Sequence, residues 1–176
     1  LSLLDNESFR RQFCISFMDI ANTAFSYERM HSMLEKWSSL YEAQTVKDHQ
    51  RFYDPLYNSE TFRQEISSID TFFQERLPFA LESLAKTFHL QGELTRISIS
   101  SNTPAGGTLT VNTASLEGCS TWEGYYYSDF PVTITAQPNE GYHFVSWQGD
   151  ISGTDPEITV SLDYGAVSLQ AIFEKD

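Results

Sequence analysis

The chain has 176 residues, of which 40% are hydrophobic and 20% charged: enough for one domain or two small ones, and too apolar to stay disordered. Eleven Lys and Arg against 24 Asp and Glu give a formal charge of -13, which argues against nucleic acid and anionic membrane as main partners. No run approaches the roughly 18 apolar residues of a membrane span, so no membrane insertion is expected.

Leu1 to Asn6 lack the basic start, apolar run and cleavage site of a signal peptide. The chain is expected to be a fragment or processed form whose true beginning lies elsewhere. Cys14 and Cys119 lie far apart and make neither a disulfide framework nor a zinc site. Cys14 sits among Phe13, Ile15 and Phe17, as an inert buried thiol would.

Composition changes at Gly92. Residues 1–92 contain no other Gly and only Pro55 and Pro78, whereas the remaining eight Gly follow. Helix formers dominate the first part, and Thr, Ser, Val, Ile and Gly the second. The expected fold class is α+β: a helical bundle segment of three to four helices over 1–92, then a small antiparallel all-β sandwich or grasp-like module over 93–176.

The first helix carries Phe9, Phe13, Phe17, Ile20 and Ala24 at spacings of three and four, with Asp5 or Asn6 as cap. The second carries Met30, Met33, Leu34, Trp37, Leu40 and Tyr41 behind Ser26. The third carries Phe62, Ile66, Ile69 and Phe73 behind Asn58 or Ser59. Pro78 either kinks it or opens a fourth helix with Leu81, Leu84, Ala85 and Phe88. Gly92 suits the left-handed position after a helix end.

Period-two runs follow: Ile97 and Ile99; Leu109 and Val111; Val132, Ile134 and Ala136; Ile158, Val160 and Leu162; Val167, Leu169, Ala171 and Phe173. Gly141 marks a turn that needs positive φ. Tyr142, Phe144 and Trp147 supply bulk for a thin core, Trp147 above all.

Trp122, Tyr125, Tyr126 and Tyr127 form an aromatic row and are the candidate binding residues. Alternation puts some of these rings on an outer face, where they could stack on sugar rings or on another protein. The alternative is that they cover the helical half at a domain interface. His31, His49, His89 and His143 have no metal-ligand spacing, and no metal site is expected. His49 is expected to pair with Asp19, Asp48 or Asp54, and Arg76 with a nearby carboxylate. Asp150, Asp155 and Glu157 fit turn chemistry better than a calcium loop.

The order Val132-Thr133-Ile134-Thr135-Ala136, Pro138, Gly141-Tyr142, Phe144, Trp147 and Gly149-Asp150 resembles the divergent internalin B-type repeat domain of bacterial surface proteins. That resemblance implies an extracellular or cell-surface multidomain protein, with the module as spacer or adhesive unit. In the first half, Asp19-Ile20-Ala21-Asn22-Thr23-Ala24-Phe25 and Phe72-Phe73-Gln74-Glu75-Arg76-Leu77-Pro78 resemble the C-terminal helical part of the CotH kinase family, atypical protein-kinase-like phosphotransferases named for a spore coat protein. Phe52 and Phe62 stand where that family is expected to carry Trp.

For a full-length family member the resemblance implies ATP and Mg²⁺, with the nucleotide lysine and metal-binding acids upstream. This chain carries no phosphate-cradling Gly-rich loop in its first half, whose only lysines are Lys36, Lys47 and Lys86. No catalytic residues and no cofactor of its own are expected. The reading is a non-catalytic C-terminal piece of a secreted or surface CotH-like kinase, its partners the upstream kinase lobe and a surface protein or glycan. The alternative is an extracellular glycan- or protein-binding module using exposed aromatics.

Overall fold

The computed structural model describes residues 3–116 and 120–176, so Cys119 lies outside the described residues. After a 3-10 turn at Leu3–Asp5 come α1 (Glu7–Asn22), α2 (Tyr27–Phe52) and α3 (Ser59–Phe88). The strands are β1 (Leu94–Ser101), β2 (Gly107–Val111), β3 (Ala114–Ser115), β4 (Thr121–Tyr127), β5 (Val132–Pro138), β6 (Tyr142–Gly149), β7 (Glu157–Val160) and β8 (Val167–Lys175).

Each helix begins where a short polar side chain accepts an orphan N–H. Asn6 Oδ1 accepts from Phe9 at 3.0 Å and Ser26 Oγ from Arg29 at 3.4 Å. Asn58 Oδ1 accepts from Glu60 and Thr61 at 2.9 and 3.2 Å. Pro78 lies inside α3, which runs through it, so among the described residues there are three long helices and no fourth. His89, not Gly92, takes the left-handed position after α3, with φ 53°, because the helix runs only to Phe88. The Leu90 N–H then closes on the Ala85 carbonyl at 3.1 Å, the six-to-one bond of a Schellman ending. Gly92 is needed for space: a Cβ there would lie 2.6 Å from the Asp129 backbone nitrogen.

The strands make two four-stranded sheets, ordered β4-β1-β8-β6 and β3-β2-β5-β7. Their alternation is the one the sequence predicts. Ile97 and Ile99, Leu109 and Val111, Val132, Ile134 and Ala136, and Leu169, Ala171 and Phe173 all point inward. One pairing departs from expectation. β1 and β8 run parallel, from Ile97 opposite Val167 to Ser101 opposite Ala171. Alternation reports which face is buried and is silent on strand direction.

β6 carries a bulge: Phe144 faces Phe173 and Ser146 faces Ile172, leaving Val145 as the extra residue. The bulge explains how Phe144 and Trp147, three residues apart, share one face with ring centroids 5.3 Å apart. Trp147 is buried, and its indole N–H donates to the Asp155 carbonyl at 2.9 Å. Two turns fix the ends of β6. Gly141 has φ 79° as expected, and Gly149 has φ 119° with the Ser168 carbonyl oxygen 2.3 Å from where a Cβ would sit.

By compactness the chain forms two units, and the division does not follow the composition break. One unit is residues 24–82, that is α2 and most of α3. The other joins α1 and the last turn of α3 to all the strands. Within it the face α1 buries is not the Phe stripe: Cys14, Met18, Asp19, Ala21 and Asn22 are buried, whereas Phe9, Phe13 and Ile20 stay about 40 to 50% exposed.

Trp147→Ala should cost about 3–5 kcal/mol, the usual range for truncating a buried large aromatic. A β module of this size has little stability to lose. Thermal unfolding followed by near-UV circular dichroism checks this; a midpoint within two degrees of the parent would show that the ring is not core.

Candidate functional site

The most concentrated polar arrangement lies where α1 meets the strands. Asp19 and Asn22, three apart on the helix, project together. Asp19 Oδ1 accepts from Asn112 Nδ2 at 2.8 Å and from the Tyr126 hydroxyl at 3.0 Å. Asp19 Oδ2 accepts from the Thr113 hydroxyl at 3.0 Å and its backbone N–H at 3.4 Å. Asn22 accepts the Tyr125 N–H at 2.9 Å and donates to the Tyr125 carbonyl at 2.7 Å. The Met18 sulfur takes the Tyr127 N–H at 3.4 Å.

The turn between β2 and β3 presents its donors through Asn112, held with φ 50°. Asn112 is itself fixed by two bonds to Thr133, backbone N–H to carbonyl at 2.7 Å and side-chain oxygen to N–H at 3.0 Å. Burial, then the Asp19 charge, then the hydrogen bond to it push the Tyr126 phenol far above its ordinary value, so it stays protonated and donates.

The four aromatic residues of β4 do not form one exposed row, because alternation separates them. Trp122 and Tyr126 share the inner side, tilted at 52° with centroids 6.5 Å apart. The Trp122 ring lies over Gly124, where a Cβ would meet it at 2.3 Å. Tyr126 is buried, which removes it from any ligand-facing platform. Tyr127 is half-buried, and Tyr125, 41% exposed, is the ring most open to solvent.

An open cleft of about 550 Å³ lies beside the start of α1, lined by Glu7, Arg10, Arg11, Cys14, His89 and Asp129 among others. Its charges oppose each other. The Asp129 carboxylate is occupied by the Gln91 and Gly92 N–H groups at 2.9 and 2.7 Å, and Arg11 lies over the Phe130 ring. Burial, followed by the Asp129 charge, raises the Cys14 thiol, which disfavours the thiolate a nucleophile needs. In the turns, Asp150 accepts the Ser168 N–H at 2.7 Å and Asp155 the Glu157 N–H at 3.0 Å, as turn chemistry predicts. Among the described residues no cluster of three or more His, Cys, Asp or Glu could hold a metal ion.

Residues 2–80 match the family model described as CotH kinase protein, and residues 97–176 match the one described as divergent InlB B-repeat domain. The helical part of the chain is thus similar to the one family and the strand-rich part to the other. No curated protein and no solved structure matches it. Asp19 and Asn22 lie in the stretch that matches the CotH kinase model, while Asn112, Thr113, Tyr125 and Tyr126 lie in the stretch that matches the B-repeat model. No helix among the described residues is long and apolar enough to cross a membrane.

Within residues 24–82, α2 and α3 are joined by hydrogen-bonded titratable groups. His31 Nδ1 lies 2.7 Å from Asp70 Oδ1, and the Tyr27 hydroxyl donates to Asp70 Oδ2 at 3.1 Å. Glu35 reaches His31 Nε2 at 3.6 Å. The hydrogen bond to Asp70 raises His31, and the same bond lowers Asp70. Tyr57 donates to Glu65 at 2.6 Å, a bond that, with desolvation, pushes the phenol up to about 12.

His49 does not pair with Asp19, Asp48 or Asp54. It packs edge-on against Tyr53 and Tyr57, with Nδ1 buried and unpartnered. The Arg76 guanidinium lies over the Phe72 and Phe79 rings, 5.9 and 5.2 Å from their centroids, a cation–π placement where a carboxylate partner was expected.

Sequence reasoning missed the roles of Asp19, Asn22 and His31. The signal for the first two is a polar pair beside the buried positions Cys14, Met18 and Ala21. For His31 it is Tyr27, His31 and Glu35 at successive four-residue steps.

The His31–Asp70 contact gives a pH window. A raised histidine stabilises fully below about pH 6.5 and loses the effect as pH climbs through its folded value; a lowered aspartate stabilises above about pH 3.9 and loses it as pH falls through its folded value. The α2–α3 contact should therefore be firmest between about pH 4 and 6.5. By NMR titration, Asp70→Asn should bring the His31 midpoint down toward about 6.5; an unmoved midpoint would show that Asp70 is not its partner.

Proposed function

We propose that this chain is a non-catalytic C-terminal part of a CotH-like protein kinase displayed at the surface of a bacterium. Residues 1–92 form the helical end of the kinase region, and residues 93–176 a B-repeat module that acts as spacer or partner-binding unit. The observation that carries this reading is an apolar stripe left open on the stretch that matches the CotH kinase model. Met33, Trp37, Leu40 and Tyr41 lie on one side of α2 and are 40 to 63% exposed, with the Trp37 and Tyr41 rings stacked at 5.7 Å. α2 buries no residue at all. A 26-residue helix with an apolar stripe in water is a surface made for covering. The upstream lobe of a kinase region, bringing ATP and Mg²⁺ with it, is the covering we assign.

The repeat adds an acidic, strand-rich body suited to the cell exterior. A glycan- or protein-binding role takes second place, because one well-exposed ring, Tyr125, is not a stacking platform.

With ATP and Mg²⁺ this chain should transfer no phosphate. Metal-dependent labelling that a substitution within the chain abolishes would overturn the non-catalytic reading. In a longer gene product carrying the rest of a CotH region, Trp37→Glu with Leu40→Glu should lower phosphotransfer at least tenfold while the repeat keeps its melting temperature. Unchanged activity would show that the stripe supports no kinase lobe.

A further inference from the structure

β4 is an edge strand of its sheet, paired with β1 on one side only. An edge strand presents unpaired N–H and C=O groups, and these must be covered or left as a template for another chain. On β4 the covering is done by side chains of a helix. The Asn22 carboxamide takes the place of a neighbouring backbone amide, with its oxygen on the Tyr125 N–H and its NH₂ on the Tyr125 carbonyl. The Met18 sulfur takes the Tyr127 N–H, the next amide along the same edge. Asp19 reaches past the edge to the turn between β2 and β3, where Asn112 and Thr113 supply three donors, and Tyr126 supplies a fourth from β4.

These contacts read identity as well as shape. Tyr125 needs an acceptor and a donor side by side, which Asn22 supplies from the two separate atoms of its amide, so Asn22→Asp or Asn22→Leu each leave Tyr125 a backbone group unmet. Only an acceptor satisfies the four donors around Asp19, and an amide in its place would turn an NH₂ toward one of them. The three side chains are buried, with Met18, Asp19 and Asn22 each 3% exposed or less. They come from one turn of helix, in the order Met-Asp-x-x-Asn.

We propose that the edge of β4 and the Asn112–Thr113 turn form a recognition site for a helix bearing Met-Asp-x-x-Asn, filled by α1 of the same chain and able to take such a helix as a separate molecule. The proposal is independent of whether the chain supports a kinase lobe, because every contact lies within the unit that joins α1 to the strands.

The test uses the full chain with a protease site inserted between Ala24 and Phe25, in the turn after α1. After cleavage the α1 piece should co-elute with the remainder on gel filtration. A fluorescent peptide of residues 3–25 in excess should exchange into the site. Asn22→Ala in that peptide should weaken exchange at least tenfold, as should Asp19→Asn. Both changes are made in the peptide, so the folding of the remainder is not in question. Thr113→Val in the chain is a milder second variant that removes one donor and should weaken binding severalfold.

Aggregation of the cut chain that added peptide reverses would support the site. Loss of the α1 piece from a remainder that keeps its circular dichroism would overturn it. So would aggregation that the peptide fails to reverse, or equal binding by the parent and Asn22→Ala peptides.

Discussion

A carboxylate taken out of water must be met by donors on every side, and the unit that joins α1 to the strands is arranged around one such requirement. Asp19 is 2% exposed and is met by four neutral donors, from Asn112, Thr113 twice, and Tyr126. Each donor constrains a different element. Tyr126 fixes the inward side of β4, and Asn112 fixes a hairpin turn that is tied in turn to β5 through Thr133. Removing one partner of such a cluster leaves the others buried and unmet, a larger cost than the worth of any single bond. The arrangement therefore selects one orientation of α1 over others that would bury as much apolar surface.

That selection is what the sequence hides. On apolar periodicity alone, Phe9, Phe13, Phe17 and Ile20 are the inner face of α1. The structure buries the neighbouring face, because Asp19 and Asn22 have partners there and the Phe stripe has none comparable. Those partners lie 93 to 107 residues away, beyond any local pattern. What local physics decides was legible. Asn6, Ser26 and Asn58 cap helices because a short polar side chain can reach an orphan N–H, and strand alternation sorted Ile97, Val132 and Leu169 inward. Strand direction was not legible, since β1 and β8 meet across some 70 residues of intervening chain. Of the aromatic row, alternation alone assigns Trp122 and Tyr126 to one side. Alternation likewise places Tyr125 on the outer side, where it is exposed, but one ring does not make a platform.

The two compact units differ in how they are held. In the β unit, burial and backbone pairing dominate, with a continuous interior from Ile97 to Phe173. In residues 24–82, the polar contacts between α2 and α3 include His31 to Asp70 and Arg63 to Glu42, while Tyr57, in the connection between the helices, donates to Glu65. Partly exposed pairs such as the first two contribute little each. Along its whole length α2 has no fully buried residue.

The bulge in β6 has a consequence for length variation. Val145 is an extra residue in the ladder, and the pairs on either side, Phe144 with Phe173 and Ser146 with Ile172, are consecutive on β8. A sequence lacking that one residue keeps the same partners and the same inward face, with the aromatic spacing shortened from F-x-x-W to F-x-W. A one-residue gap there is structurally silent, whereas the same gap placed opposite it in β8 would turn every later side chain to the other face. An alignment of this strand with one a residue shorter should therefore place the gap at Val145.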